Sequence, residues 1–402
     1  MNPTSYEILI FICIVIVISY IFNIISDKTK IPSVILLIIT GIASHQIAVY
    51  YQVEIPIFKN LLEILGIVGL ILIVLEGALD LEITRSKRPI ILKSLTVSFI
   101  ALIITSLGLS AILHFLNGID IKLALIYAVP MAIISSAIAI PTANNMDKQK
   151  KEFIIYESTF SDILGIMVFN YVISEKLSGW NSLGVLFWNF ILIIVISIVN
   201  TALLLILFKF LKEHLKIFLI LALLVLTYAL SKNIHLPSLL LIFVFGLVLN
   251  NMGTFISKNF TKIIEPEKLN STTLELKKMT IELAFIIRTF FFLLFGFSID
   301  ISLIFSLEVV TTGVLILAVI MVFRYLTLKY VTRTNIFPEL FIAPRGLITI
   351  LLFYSIPGQF LTGKFNEGVL SFVILSSNII MTIGIIFSKQ KFGVENELDT
   401  AK

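Results

Sequence analysis

Charged residues are scarce in this sequence. Only 14% of its 402 residues are Asp, Glu, Lys or Arg, and 58% are hydrophobic, whereas a typical soluble domain has about 25% charged residues. This balance excludes a soluble globular protein. Apolar runs of 18 to 27 residues recur along the whole chain, and each can cross a hydrocarbon core of about 30 Å as a helix. The sequence therefore predicts an all-α, multi-pass membrane protein.

The sequence is also poor in groups that could build a covalent or metal-based framework. Its one cysteine, Cys13, cannot form an intramolecular disulfide, and no Cys-based metal site is available. The patterns H-E-x-x-H and G-x-S-x-G are absent, so the residues for metal-assisted or serine hydrolysis are missing. An intramembrane enzyme is therefore disfavoured, and we expect neither an enzyme nor a bound cofactor.

Thirteen hydrophobic windows are long enough to be membrane spans. The first carries Glu7 and no Lys or Arg ahead of its apolar run, which is not the charge pattern of a signal peptide. The longest connection, about 256–278, is short and charged, so we expect one integral membrane domain over 1–402 and no soluble domain. The windows are 5–25, 31–49, 61–80, 90–115, 121–146, 152–174, 183–210, 215–231, 236–255, 279–299, 303–330, 338–357 and 366–388.

The basic residues are distributed unevenly between the two sides of these spans. Connections after odd-numbered spans, together with the carboxyl tail, hold 22 Lys and Arg residues, connections after even-numbered spans hold five, and three lie within spans. Because cytoplasmic connections carry the excess of Lys and Arg, the amino terminus is expected outside and the carboxyl terminus in the cytoplasm. The net charge of +5 is thus a topology signal, and no nucleic-acid partner is predicted.

A few ionisable residues fall at membrane depth, where an unpaired charge is costly and marks a functional candidate. Span 6 carries Glu157 and Asp162, which are five residues apart and so face different neighbours. Arg324 lies deep in span 11 and Arg345 lies in span 12. We expect Glu157 to pair with Arg324 and to leave Asp162 free to titrate. The alternative is that Arg324 extends to the cytoplasmic surface.

Two spans contain proline within an apolar run. Span 5 has Pro130 and Pro141, and span 12 has Pro344 and Pro357. Interior proline removes a helix hydrogen bond, so both spans are predicted to be broken. They are seven spans apart, which predicts two inverted six-helix repeats, spans 1–6 and 8–13. Paired broken helices in inverted halves indicate the substrate site of a secondary transporter. Alternatively, each proline reflects only the greater tolerance of membrane helices for Pro and Gly.

Together these residues resemble a known family, the monovalent cation/proton antiporters, and within it the sodium/proton exchanger branch with thirteen spans. The segment YESTFSDILGIMVF of span 6 is similar to the family pattern Glu-Ser-x-x-Asn-Asp followed by a small apolar stretch. On this match Asp162 falls on the essential ion-binding aspartate. Glu157 and Ser158 fall on the Glu-Ser pair, and Arg324 falls where family members carry the arginine that pairs with this glutamate.

Span 12 adds to the resemblance, while span 5 departs from it. Arg345 and Gly346 are similar to the Arg-Gly motif of the partner helix. Ser161 stands where the exchanger branch has Asn. In span 5 the Thr-Asp-Pro of that branch is replaced by the run from Ser135 to Ile140, which is closer to potassium-efflux-type antiporters. We therefore expect Na⁺ as the cation and keep K⁺ as a possibility.

The resemblance implies a scaffold and a moving core. The scaffold, which also dimerises, would be spans 1–3 and 8–10 (approximately 5–80 and 215–299), and the transport core would be spans 4–6 and 11–13 (approximately 90–174 and 303–388). Hard monovalent cations prefer oxygen ligands, available here from carboxylate, hydroxyl and freed carbonyl groups. The predicted ion-binding residues are Asp162, Ser158, Ser161, Ser136 and Ala137, with Asp162 as the cation ligand, and the predicted core charges are Glu157, Arg324 and Arg345.

The function expected from these residues is exchange of Na⁺ or K⁺ for H⁺ in a homodimer by elevator-type alternating access. If Glu157 is held by Arg324, one carboxylate carries either one proton or one cation, and the exchange is electroneutral. Two alternatives remain open: a non-transporting sensor or complex subunit of the same fold, and a solute carrier of related architecture. The Ile- and Lys-rich composition favours a bacterial inner membrane.

Overall fold

All regular structure in the part of the chain that the structure describes is helical. This computed structural model describes residues 5–29, 31–51, 58–143, 146–173, 195–196, 198–199, 201, 216–233, 238–251, 266–333, 335–361 and 365–399. Within these ranges we number the helices α1 Ser5–Thr29, α2 Ser33–Tyr50, α3 Phe58–Asp80, α4 Arg88–Asn117, α5 Ile121–Ala132, α6 Ser136–Ala143, α7 Lys148–Ile173, α8 Lys216–Asn233, α9 Ser238–Asn250, α10 Pro266–Ser298, α11 Ile301–Ile304, α12 Leu307–Thr332, α13 Leu347–Tyr354 and α14 Glu367–Asp399.

Six of the described segments are long and apolar enough to cross a membrane. Three shorter apolar helices, Ile12–Ser26, Ile217–Ser231 and Leu239–Asn250, accompany them. The prediction of a multi-pass, all-helical membrane protein is therefore confirmed for the described residues. The count of thirteen and the inverted repeat stay predictions, and most of the window 183–210 for span 7 lies outside the described residues. The six segments are Ser33–Tyr50, Arg85–Asn117, Ile121–Ala143, Ser271–Ser298, Leu307–Thr332 and Glu367–Ser388.

The chain divides into two compact units. The first comprises Met1–Gly66, Lys93–Gly165 and Arg288–Lys402, and the second comprises Ile67–Leu92 and Ile166–Ile287. Within the first, α12 packs along α14 and α5 packs on α13. Within the second, α8 packs on α9. Every residue of the predicted site belongs to the first unit, so the site can be built from that unit alone.

Span 5 is interrupted, as its sequence predicts, and the break lies between its two prolines. Pro130 is inside α5 and Pro141 is inside α6. Helix α5 ends at Ala132, after which Ile133 is extended with φ −75° and ψ 134°. Because proline lacks an N–H, each proline instead frees the carbonyl four residues before it, those of Ile126 and Ala137.

Span 12 is helical only in its second part. Residues 335–346 form turns and irregular chain, and the eight-residue α13 follows. This irregular part meets the break in span 5, where the Ser135 N–H donates to the Pro344 carbonyl over 2.9 Å. Gly346 permits this approach, since a Cβ there would lie 2.8 Å from Ser135 Oγ and 2.7 Å from Ile138 Cδ1. The two interrupted segments therefore cross with their backbones in direct contact.

Replacing Gly346 with Ala should displace the Ser135 and Ile138 side chains that pack against it. Overpacking of a well-packed interior costs about 1–3 kcal/mol, and we expect Gly346→Ala to lower the thermal unfolding midpoint of the detergent-solubilised protein. Gly358→Ala is the matched control, because a Cβ at Gly358 would meet nothing within 4 Å. Equal midpoints for the two variants would contradict the close crossing.

Candidate functional site

Helix α7 brings two acidic side chains into the interior of the first unit. Glu157 and Asp162 are each 1% exposed. They are five residues apart on one helix, which turns them by about 140° relative to each other. Each carboxylate therefore meets a different set of neighbours, and the two sets are chemically distinct.

Asp162 lies at the amino-terminal end of α6. The Ser136 N–H, at the first residue of that helix, donates to Asp162 Oδ2 over 3.3 Å. The first N–H groups of a helix have no partner within the helix, and the helix dipole adds a partial positive charge there. Asp162 Oδ1 is buried and has no hydrogen-bond partner among the described residues. One oxygen of the carboxylate is thus positioned by the break, and the other is available to a ligand.

Three predicted ligands come from serine side chains or backbone around this carboxylate. Ser161 Oγ accepts a hydrogen bond from the Ile134 N–H over 2.9 Å, so it satisfies a backbone donor inside the break. Ser136 contacts Asp162 directly, as described above. Ser158, in contrast, donates its hydroxyl to the Ile154 carbonyl in its own helix over 2.7 Å. In this conformation Ser136 and Ser161 are tied to the break, while Ser158 is engaged within α7.

Ala137, the remaining predicted ligand, offers a backbone carbonyl. Its oxygen accepts a hydrogen bond from Arg288 Nη1, in α10, over 3.1 Å. Arg288 is absent from the predicted site residues. The only sequence signal that could have found it is an arginine within an apolar run.

Glu157 and Arg324 form a bidentate ion pair. The distances are 2.8 Å from Nη1 to Oε1 and 3.2 Å from Nη2 to Oε2. The arginine and glutamate side chains are only 4% and 2% exposed, which excludes the alternative that Arg324 extends to the surface. Arg324 Nε also donates to the carbonyls of Glu339 and Leu340, over 3.1 and 3.0 Å. The arginine thereby joins α7 and α12 to the turn that precedes α13.

A second ion pair in the same unit was not found by the sequence analysis. Lys150 Nζ lies 3.0 Å from Glu339 Oε2 and also donates to the Phe337 carbonyl. Lys150 belongs to the first turn of α7, so this pair fastens the start of the Asp162 helix to the turn that Arg324 holds. Glu339 is the second residue of the predicted span 12, and an acidic residue at the edge of that apolar run was the available signal.

Among the residues that the structure describes, Arg345 is bound by backbone carbonyls and not by a carboxylate. Its Nε donates to the Met131 carbonyl over 2.7 Å and its Nη1 to the Ala343 carbonyl over 3.2 Å. Met131 lies in the last turn of α5, where carbonyls lack helical partners and a positive charge is favourable. Two polar residues of α14 complete the contact: Ser377 Oγ accepts from the Arg345 N–H over 3.1 Å, and Asn378 Nδ2 donates to the Arg345 carbonyl over 2.9 Å.

A multi-pass helical protein in which two interrupted segments cross beside a buried carboxylate has the architecture typical of secondary transporters. Comparison with family models is consistent with this class. The model described as "Sodium/hydrogen exchanger, transmembrane" matches residues 13–389, and the chain belongs to the sodium/hydrogen exchanger family. This family consists of transporters and not of enzymes, as the missing hydrolase motifs predict.

Two solved structures of the sodium proton antiporter MjNhaP1 from Methanocaldococcus jannaschii share the fold. A structure at pH 8 has 17% sequence identity and a TM-score of 0.68, with 96% of each chain covered. A structure from an electron-microscopy map has 18% identity and a TM-score of 0.70, with 97% of each chain covered. At these identities the likeness concerns the fold alone. No curated protein sequence matches the chain.

Glu157→Gln should destabilise the protein strongly, because it leaves the Arg324 guanidinium buried without a counter-charge. Breaking a buried pair in this way costs about 3–5 kcal/mol, and the thermal unfolding midpoint in detergent should fall accordingly. Glu82→Gln is the control: Glu82 lies 2.7 Å from Lys87 but its side chain is 65% exposed, and such a surface pair contributes less than about 1 kcal/mol. A Glu157→Gln midpoint as high as that of Glu82→Gln would refute the assigned role of the pair.

Proposed function

We propose that this protein exchanges a monovalent cation for protons across the membrane and that Asp162 binds the two in turn. The observation that carries the proposal is the state of the Asp162 carboxylate. It is buried, one oxygen is held at the amino terminus of α6 by the Ser136 N–H, and the other has no partner among the described residues. Membership of the sodium/hydrogen exchanger family supports the same activity.

Competition for a single carboxylate is sufficient to couple the two ions. A protonated carboxyl group has lost the negative charge that attracts a cation, and a coordinated cation excludes the proton from the same oxygens. Ligands in addition to Asp162 would come from the hydroxyls of Ser158 and Ser161 and from the carbonyls of Ser136 and Ala137. The Ser158 hydroxyl donates its hydrogen to the Ile154 carbonyl and keeps its lone pairs for a ligand. Na⁺ is the favoured cation because of the family, and K⁺ is the second candidate because of the serine-rich span 5.

The proposed stoichiometry is one cation for one proton. Glu157 is paired with Arg324 through two hydrogen bonds, and in this proposal the pair stays intact through the cycle. Asp162 is then the one carboxylate of the pair that changes its charge state. Each half-cycle carries one positive charge, and the exchange is electroneutral.

Alternating access would follow from a shift of a core against a dimerising scaffold. Two ion pairs, the bidentate Glu157–Arg324 pair and the Lys150–Glu339 pair, hold α7, α12 and the turn before α13 as one body. The body that carries Asp162 can therefore move without breaking these pairs. We place the amino terminus outside and the carboxyl terminus in the cytoplasm because of the charge asymmetry of the connections. We also propose that the protein lies in a bacterial inner membrane and forms a homodimer.

Asp162→Asn should abolish cation-dependent proton movement in proteoliposomes with an imposed pH gradient, because an amide cannot alternate between proton and cation. Asp300→Asn is the matched control. Asp300 caps the short helix α11 at the surface, and hydrogen bonds from the hydroxyl and the N–H of Ser302 lower the pKa of its carboxyl group. Its variant should transport at close to the wild-type rate. Full activity in Asp162→Asn would contradict the assignment of Asp162 as the ion-binding residue.

Clamping the membrane potential provides a separate test of the stoichiometry. In the same proteoliposomes, wild-type exchange should be unchanged when valinomycin and K⁺ set the potential to different values, with Na⁺ as the transported ion. Strong dependence of the rate on the potential would exclude 1:1 exchange and would indicate that a second group, with Glu157 first among the candidates, also titrates.

A further inference from the structure

The Ala137 carbonyl is left free by the sequence of its own helix. In an α-helix this oxygen accepts from the N–H four residues later, and that residue is Pro141, which has no N–H. The freed oxygen lies one residue after Ser136, whose N–H holds Asp162. The start of α6 thus presents a donor to the carboxylate and, one peptide further along, an acceptor without a helical partner.

Arg288 occupies this acceptor. Its Nη1 donates to the Ala137 carbonyl over 3.1 Å, and Arg288 lies deep within the apolar half of α10, where a charge is expensive without a partner. Guanidinium is never deprotonated in proteins. A positive charge therefore binds the backbone oxygen of the residue that follows Ser136, whose N–H holds the carboxylate that the proposed function assigns to the cation.

We propose that Arg288 is a tethered competitor of the transported cation: its guanidinium holds the Ala137 carbonyl, and a cation can use this oxygen only after Arg288 has released it. The inference rests on the proposed function. Both groups are positive, and on one carbonyl oxygen they would lie within a few ångströms of each other, so their mutual repulsion opposes simultaneous binding. Arg288 then sets the cation affinity, because displacing its hydrogen bond opposes cation binding.

The competing explanation is that Arg288 is a structural brace between α10 and α6. A brace contributes to stability whichever ion is bound, so its removal lowers the unfolding midpoint and leaves the apparent cation affinity unchanged. A competitor has the opposite signature: its removal strengthens cation binding. The two explanations therefore differ in the sign of one measurable quantity.

The test is the apparent KM for Na⁺, and separately for K⁺, of Arg288→Gln in proteoliposomes at fixed pH. A hydrogen bond to a charged group is worth enough to change an equilibrium by about tenfold or more, so we expect the KM of the transported cation to fall by about tenfold. Lys277→Gln is the matched control. It removes one positive charge from the same helix, where Lys277 pairs with Asp80 at 2.7 Å and is partly exposed, and its KM should equal that of the wild type.

A second measurement does not depend on transport. The cation concentration that gives half of the maximal rise in thermal unfolding midpoint reports cation binding to the folded protein in detergent. It should fall in Arg288→Gln by the same factor. If that variant does not reach the membrane, Arg288→Lys replaces it. Its half-maximal cation concentration must also fall, since an ammonium cannot reproduce the guanidinium geometry.

Pro141→Ala tests the shared oxygen itself. The new N–H can bond to the Ala137 carbonyl and compete with both Arg288 and the cation for that oxygen. In this background Arg288→Gln should change the KM by less than about twofold, because the oxygen that Arg288 and the cation share is then engaged by the helix. An undiminished effect would show that the two do not compete for this carbonyl.

The outcomes separate this inference from the proposed function. If wild-type proteoliposomes exchange no cation for protons, or Asp162→Asn retains full exchange, the proposed function fails. If both behave as expected but the KM and the half-maximal concentration of Arg288→Gln are unchanged or raised, only the competition by Arg288 is wrong.

Discussion

The constraint on which this structure depends is that backbone polar groups within a membrane protein must find partners inside the protein. Two segments break their helices in the first unit, and each break leaves N–H and carbonyl groups without helical partners. The crossing itself satisfies one pair, Ser135 N–H with the Pro344 carbonyl. The other groups recruit side chains: Ser161 accepts from Ile134, and Arg345 donates to Met131. The site therefore arises because the backbone groups that the breaks leave without helical partners must be hydrogen-bonded.

The same geometry gives the two carboxylates of α7 different partners. Five residues along α7 place Glu157 against Arg324 and Asp162 against the amino terminus of α6. The first carboxylate faces a full opposite charge, while the second faces the uncharged donors of Ser136. Two acidic residues with the same chemistry are thereby given different roles, one in holding the fold and one as the group proposed to exchange ions.

The ion pair and the two interrupted spans were predictable from the sequence because few polar residues occur at membrane depth. Acidic residues and arginines are so rare there that Glu157 and Arg324 had few other partners, and prolines within apolar runs indicated that spans 5 and 12 are interrupted. In span 5 the two prolines bracket the break, and Pro130 and Pro141 themselves are accommodated inside α5 and α6. Their effect is to free carbonyls. The contacts Lys150–Glu339 and Arg288–Ala137 join residues far apart in sequence, and no local pattern encodes them.

The central claim, that Asp162 holds a proton or a cation but not both, is tested most directly by proton release on cation binding. NaCl is added to the solubilised protein in weakly buffered solution, and a pH indicator records the protons that appear, with choline chloride as the control for ionic strength. The account predicts about one proton released per bound Na⁺ in the wild type and none in Asp162→Asn. Release that persists in Asp162→Asn, or cation binding by the wild type without release, would contradict it.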